Sequence, residues 1–566
     1  MKIIITILFC AFIQVYSVTE LSAQIQVGQT KIDTTSIVRN LFVPWDMSWG
    51  ADNFIWFTEI NGKVSRLNPE TGQLSVILAS IPDLWKTVPA PTENMTTGLF
   101  SMVLHPDFAT NPEVFLYYTH HPGTPKVKIV KYTYNQAQNQ LINPVVLMDN
   151  ILATTVFHNS GRMVISPDKK LLLSTGDRTD TSTPQNMASL NGKILRMNLD
   201  GTVPSDNPTA GSYIWSIGHR HAQGLVYSPD KTVLYSSEHG PSNDDELNII
   251  ERGRNYGWPN VEGFCNTTAE QTFCTANNVK EPLKAWTPTI ACSGMDFYNS
   301  DMIPDWKNAL LLGTLKERDF RVLKLNTNGL SIATETTYYD YAQGMGRLRD
   351  VCVSPDGDIY VCTSNRDDNG ILFNPPPGIP RTDDDRIMRI ANIAPRALTI
   401  SQTVATEAVL NWKDRWNKET GFKVYRATGA ATNTFELIAT LPANTVTYAD
   451  LAVVVSQKNF YKVQAFNATI SSEFSNIVDI NASLTLSLDN LNGKSYKIFP
   501  NPTNSMISIE GLSPNTANNI KIYNAVGVFI QEKILTNMNT FDVSALAKGL
   551  YYLTVNNTVK IKFVKI

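Results

Sequence analysis

The apolar residues of this chain fall into short runs separated by turn residues. "EVFLYYT", "KLLLSTGD", "TVLYSSEHG" and "DIYVCTSN" each read as a β-strand leading into a loop. Ahead of each run stands a variant of one motif: "HPDF" at His105, "SPDKK" at Ser166, "SPDK" at Ser228 and "SPDG" at Ser354. The copies are spaced by about 61, 62 and 126 residues, the last spacing being twice the others. "DMIPDWKNALLLGTL", near the midpoint of the long gap, is a degenerate copy, and "WGADNFIWFTE" at Trp49 supplies one more at the front. Six strand-rich units of about 60 residues predict an all-β fold, a six-bladed β-propeller over residues 24–393.

After Ile393 the chain crosses a proline in "IMRIANIAPRALTIS" and the pattern changes to alternating strands: "AVLNWKD", "GFKVYRAT", "FELIATL", "NFYKVQAFN". Trp412 in an early strand and Tyr461 in a late one resemble the core pair of a fibronectin type III sandwich, which implies such a domain over 394–482. From 495 to 566 run "YKIFPNPTNSMISIEG", "IKIYNAVGVFIQE" and "FDVSALAKGLYYLTV", ending in "KIKFVKI". This stretch resembles the C-terminal sorting domain of type IX secretion. The resemblance implies an exported, secreted or cell-surface protein, with the secretion machinery as a partner. The expected architecture is thus a propeller followed by two small β-sandwich domains.

The N-terminus fits export. "MKIIITILFCAFIQVYSVTELSAQ" has a lysine, an apolar stretch and a small-residue exit at Ser22-Ala23, the pattern of a signal peptide over 1–23 that is too short to span a membrane. No later stretch predicts a transmembrane segment. The formal net charge of −3 gives no footprint for nucleic acid. Export permits disulfides. Beyond Cys10, Cys265 and Cys274 flank one short loop and are expected to bridge. Cys352 and Cys362 flank "SPDGD" in a hairpin, bridged or reduced, and Cys292 is left over as core or pocket wall.

Candidate chemistry recurs at equivalent points of the repeats, where a propeller gathers its loops at one mouth. The segments are "TTVFHNSGRM", "LLLSTGDRTD", "WSIGHRHAQGL", "SSEHGPSNDDELNIIERGRNYGWPN", "WTPTIACSG", "LLGTLKERDFRVLKL" and "GRLRDVCVSPDG". Arg220, Lys316, Arg347 and Arg349 are cations beside glycines and strand ends, and the last two share a strand face. Such a set answers a polyanion if it converges. His158 and His221 are the titrating groups, and Asp177 is placed to orient one of them. The acids of "SNDDELN" ask for a positive partner.

These segments resemble the soluble glucose/sorbosone dehydrogenase family, propellers that use pyrroloquinoline quinone (PQQ) and calcium. "GHRHAQGL", "EHGPSNDDELNII", "GRNYGWPNV" and "LNGKILRMNLDGTVPSDNP" carry the likeness, in order, from Pro44 to about Ile390. The resemblance implies a dehydrogenase that oxidises the anomeric hydroxyl of an aldose-type sugar to a lactone, passing electrons on to an external acceptor. It implies His158 as base, Asp177 as its orienting carboxylate and Arg220 over the reacting quinone oxygen. His221, Thr289, Lys316, Arg347 and Arg349, with Arg220, match cofactor contacts. The carbonyls of Gly240 and Pro241 match ligands of the calcium that also binds the quinone, and carbonyls suit a hard cation. Glu246 and the backbone of Tyr256 match an additional structural calcium. On the substrate side stand Thr96, His239, Asp245 and Trp286. Three positions depart from the family: His221 for an asparagine, and Thr96 and His239 for glutamines. A binding module without turnover has no reason to keep His158, Asp177, Arg220, Lys316, Arg347 and Arg349 together. A lactonase-like metal hydrolase requires several carboxylates converging at the channel centre, which the sequence does not display.

Overall fold

The computed structural model describes residues 25–566 except 87–96, 155–156, 160, 339–344, 368–382, 403–406, 431–433, 456, 482–495, 514, 526–527, 537 and 557–558. The expected signal peptide, 1–23, and the substrate-side candidate Thr96 lie outside the described residues.

Six antiparallel sheets follow one another along the chain, each beginning with a short inner strand: Pro44–Trp49, Leu99–Leu104, Met163–Ile165, Ala222–Tyr227, Cys292–Tyr298 and Leu348–Val353. Each inner strand packs beside the next, and Leu348–Val353 returns against Pro44–Trp49, so the ring closes. The recurring motif is the turn from inner to second strand. Its serine fixes that turn: Ser166 Oγ accepts from the Lys170 N–H at 3.0 Å, and Ser354 Oγ from the Asp358 N–H at 3.0 Å. The sixth blade is built from both ends of the propeller. Thr30–Val38 pairs antiparallel with Ile387–Asn392, which in turn pairs with Ile359–Thr363. This closure removes a free sheet edge.

The apolar cores lie between neighbouring blades. One joins Trp45 and Ile60 of the first blade to Phe100 and Tyr117 of the second and Leu171 of the third. At the propeller axis the packing turns polar. Arg162 lies buried between Asp46 (2.6 Å) and Asp350 (3.2 Å), and its Nε donates to the Gln223 carbonyl at 3.0 Å. Carboxylates therefore do converge at the centre, contrary to the expectation from sequence, but an arginine holds them together.

Two sandwiches follow. The first sets Arg396–Ser401, Ala408–Lys413 and Thr447–Asp450 against a sheet built on Gly421–Thr428 and Lys458–Phe466, with Trp412 and Tyr461 both in its core. The second sets Met506–Glu510 and its partners against a sheet built on Asn518–Asn524 and Gly549–Val555. Thr268–Asn277 is an α-helix in a loop of the fourth blade, capped by Thr267 and Glu270 and tied by the Cys265–Cys274 disulfide that the spacing predicts. Cys292, Cys352 and Cys362 are free and buried. In their hairpin Cys352 faces Tyr360 and Cys362 faces Asp350, so the two thiols are out of register for a bridge. No helix among the described residues is long and apolar enough to cross a membrane.

Candidate active site

The loops after the second strands and before the inner strands meet at one end of the ring. His158 enters from the loop before the third blade with φ +65°, in the left-handed region that non-glycine residues adopt uncommonly. Its Nδ1 lies 2.6 Å from Asp177 Oδ1. Gly176 makes that approach possible, since a Cβ there would lie 2.0 Å from the His158 carbonyl oxygen. Asp177 is buried and fully engaged: its Oδ1 accepts from the Thr179 N–H at 2.8 Å and its Oδ2 from the Trp258 indole at 2.9 Å. Burial alone would raise this carboxyl, but the bonds, first that to His158, hold it below its ordinary value. A carboxylate can only accept, so His158 carries its proton on Nδ1 and presents Nε2 as the basic atom.

His221 stacks on His158 at 4.6 Å between ring centroids and meets His239 edge-on at 5.4 Å. Desolvation and positive neighbours hold His221 well below the usual histidine range and His239 down at about 3. Both rings are neutral hydrogen-bonding groups at neutral pH. The Gln223 side chain reaches His221 Nε2 at 2.7 Å, and His239 Nε2 donates to the Cys292 carbonyl at 2.7 Å.

The expected cations converge. Arg220 Nη1 donates to the His239 carbonyl at 3.1 Å, and its guanidinium lies 5.4 Å from the Trp258 ring centroid. Lys316 Nζ donates to Thr289 Oγ1 at 3.0 Å, and the Thr289 N–H donates to the Ser242 carbonyl, next to Pro241. Arg347 Nη1 donates to the carbonyl of Leu315, beside Lys316. Arg349 pairs with Asp367 at 2.8 Å, Arg347 approaches the same carboxylate at 3.6 Å, and Arg349 lies 3.9 Å over the Trp45 ring. Burial lowers Arg349 to about 10, against the pull of Asp367. Asp367 is shared by Arg347 and Arg349, so two guanidiniums meet one carboxylate here, a surplus that an anion would neutralise.

Gly240, Pro241, Glu246 and Tyr256 line one small cavity with Arg220 and Glu238. A Cβ on Gly240 would fall 1.9 Å from the Asn243 carbonyl, so only glycine makes this turn. Among the described residues no hydrogen-bond donor reaches the carbonyls of Gly240 and Pro241, which suits a cation. No group of three or more His, Cys, Asp or Glu among the described residues is arranged as a metal cluster. Glu246 is taken up by the Gly263 N–H and the Asn248 amide at 2.9 and 2.8 Å. Burial, then the neighbouring Glu238, raises its carboxyl to about 8.

Two expected substrate residues lie elsewhere. Asp245 is buried, accepting from the backbone N–H groups of Gly240, Ile290 and Cys292 at 2.8, 2.9 and 3.2 Å. It braces the Gly240 turn, and both of its oxygens are already taken up by backbone N–H groups. Trp286 is 6% exposed in the core between the fourth and fifth blades, its indole donating to Glu335 at 2.9 Å. Neither face is open to a ligand. Conversely, sequence reasoning does not single out Trp258 and Asp367. Trp258 lies in the quoted "GRNYGWPN", which marks the segment but not the contact.

Residues 41–373 match the glucose/sorbosone dehydrogenase family, and residues 497–566 match the secretion system C-terminal sorting domain. That tail directs the chain out of the cell by type IX secretion, to the cell surface or beyond. Quinoprotein glucose dehydrogenase B of Acinetobacter calcoaceticus is 32% identical over 60% of this chain and 88% of its own. An aldose sugar dehydrogenase of Escherichia coli is 30% identical over 61% of this chain and 93% of its own. The PQQ-bound aldose sugar dehydrogenase of Streptomyces coelicolor aligns with a TM-score of 0.52 at 27% identity, covering 64% of this chain and 98% of that one.

Proposed function

We propose, from the premise that this chain belongs to the glucose/sorbosone dehydrogenase family, that it oxidises the anomeric hydroxyl of an aldose-type sugar to the lactone. PQQ and calcium are the proposed cofactors. One observation carries the reading: a histidine–carboxylate pair and a cluster of four cations share the propeller mouth. Bound there, PQQ would supply the two-electron acceptor that the oxidation requires.

The rest of the reaction falls to side chains. Arg347, Arg349 and Lys316 answer the carboxylates of the quinone, with Thr289 holding Lys316 in place. Arg220, steadied by the His239 carbonyl and Trp258, provides a donor where negative charge develops. The carbonyls of Gly240 and Pro241 would hold the calcium at the quinone, and Glu246 with the Tyr256 backbone a structural one. His158 Nε2 takes the hydroxyl proton, and Asp177 stabilises the imidazolium that forms. His221, kept neutral and bonded to Gln223, offers an N–H or a lone pair but no charge. Thr96 and His239 remain as the substrate-side residues.

The metal-hydrolase alternative loses its site, because Asp46 and Asp350 are spent on Arg162. The first sandwich is proposed as a fibronectin type III module over 394–482, and 1–23 as a removable signal peptide. The test is reconstitution of the purified protein with PQQ and calcium, followed by dye reduction across a panel of aldoses. Turnover of at least one aldose is expected; none with saturating quinone and a folded protein would refute the reading.

A further inference from the structure

A second cavity lies at the opposite end of the propeller. The inner strand Leu348–Val353 follows Arg347, carries Arg349 near its start and runs into the Ser354 turn at its end. Its length separates the two places by roughly 20 Å. There the first sandwich is docked against the ring. Arg415, buried, holds Glu70 at 2.8 Å and Asp358 at 3.4 Å. Arg396 bonds Asp358 at 2.7 Å, and the Trp416 indole donates to Asp33 at 3.0 Å. Between the two domains this contact leaves a cavity of about 300 Å³, at the low end of the range for small-molecule sites, which favour domain junctions.

The lining specifies the ligand. Trp49, half-buried, supplies the aromatic face, backed at 5.7 Å by the buried ring of Tyr360, and Pro69 and Pro355 extend the apolar side. The polar side is made of ion pairs: Glu70 with Arg415, and Asp356 with Lys413 at 3.4 Å. With the third lining carboxylate, Asp358, held by Arg396 behind the wall, the charges nearly cancel and leave little net field, which disfavours a phosphate or a metal ion but keeps many hydrogen-bonding atoms. Asn53 adds an exposed amide, and Arg415 Nε, buried, has no hydrogen-bond partner. An aromatic wall facing paired carboxylates, guanidinium and amide suits a neutral polyhydroxylated ring.

We propose that this junction cavity is a binding subsite for a neutral saccharide unit, separate from the mouth and created by the docking of the sandwich. It would hold the exported protein on a glycan and does not depend on turnover at the mouth.

The test uses the full-length protein and borohydride-reduced maltohexaose, cellohexaose, xylohexaose and mannohexaose, which have no anomeric hydroxyl to oxidise. Calorimetry should show at least one binding with a Kd of about 1 mM or tighter. Trp49→Ala, and independently Glu70→Gln and Asn53→Ala at exposed positions, should each weaken it by roughly tenfold, leaving monosaccharide oxidation unchanged. Binding without any turnover at the mouth supports the subsite and counts only against the proposed reaction. No binding of any of the four at about 10 mM, or binding that survives all three substitutions, overturns the proposal.

Discussion

Replacing Asp177 by asparagine removes one charge and almost no volume, yet the geometry leaves the amide nowhere to settle. In the native structure Oδ1 accepts from Thr179 N–H while facing His158 Nδ1, and Oδ2 accepts from the Trp258 indole. The single oxygen of the new side chain can serve one side, and its NH₂ must then meet an N–H donor on the other. If the NH₂ turns to His158, the imidazole changes tautomer and Nε2 carries the proton it should accept. If it turns to Trp258, the tautomer survives but the imidazolium loses its charged partner. A hydrogen bond to a charged group is worth about 1.5–3 kcal/mol, or roughly 10- to 150-fold in rate. Tautomer inversion extends the loss toward about 10⁴-fold. Dye reduction at saturating PQQ should therefore show kcat down by about 10- to 10⁴-fold, with quinone affinity changed far less, because Asp177 touches none of the side chains of Lys316, Arg347 and Arg349 and meets Arg220 only through Trp258 and a backbone bond. The substitution also has a pH signature. Asp177 is held below its ordinary 3.8, and a lowered carboxylate stabilises the fold above its unfolded value, losing that contribution as pH falls through the folded one. The melting-temperature gap between wild type and Asp177→Asn should close below about pH 4. A kcat close to that of wild type refutes the reasoning.

Arg347→Ala should weaken PQQ binding by roughly 10- to 100-fold in a fluorescence titration and be rescued in turnover by excess quinone; a kcat loss that no concentration restores contradicts a ground-state contact. Exhaustive chelation should abolish activity and calcium restore it, with magnesium poor because of its stricter geometry; activity unmoved by chelation removes the calcium assignment. Arg162→Leu leaves Asp46 and Asp350 buried without their cation, which should cost about 3–5 kcal/mol in denaturant unfolding; an unchanged midpoint would show that the axial network is not what joins the blades there.

The propeller is legible in the sequence because its repeat is a local device: the Ser-Pro-Asp turn, with serine and aspartate at fixed offsets, marks the blades at Ser166, Ser228 and Ser354, and their spacing locates the degenerate copies in the others. The closing strand Thr30–Val38 is not, since its partner lies far along the chain and pairing of that kind leaves no mark in a window of sequence. At the site, His158, Asp177, Arg220, Lys316, Arg347 and Arg349 are readable because their motifs are long and ordered. Asp245 is misread because three adjacent acids look like one charged loop, whereas Asp245 opens the strand Asp245–Ile249 with its carboxylate turned inward onto backbone N–H groups, and Asp244, just before that strand at φ +56°, stays half-buried. Trp286 is misread for the same reason: sequence gives the ring but not the face it turns. Arg162 shows the converse, an ordinary-looking residue at the start of a strand whose meaning comes only from Asp46, Gln223 and Asp350 on three other blades.

The most direct test of the central claim is steady-state dye reduction by the PQQ- and calcium-reconstituted protein, wild type beside His158→Ala, on an aldose that the wild type oxidises. Removing a general base typically costs about 10²–10⁴ in rate, so kcat should fall by that factor at saturating quinone in a folded variant, with PQQ affinity nearly unchanged. A variant that turns over at close to the wild-type rate would contradict the assignment of this mouth as a sugar-oxidising site.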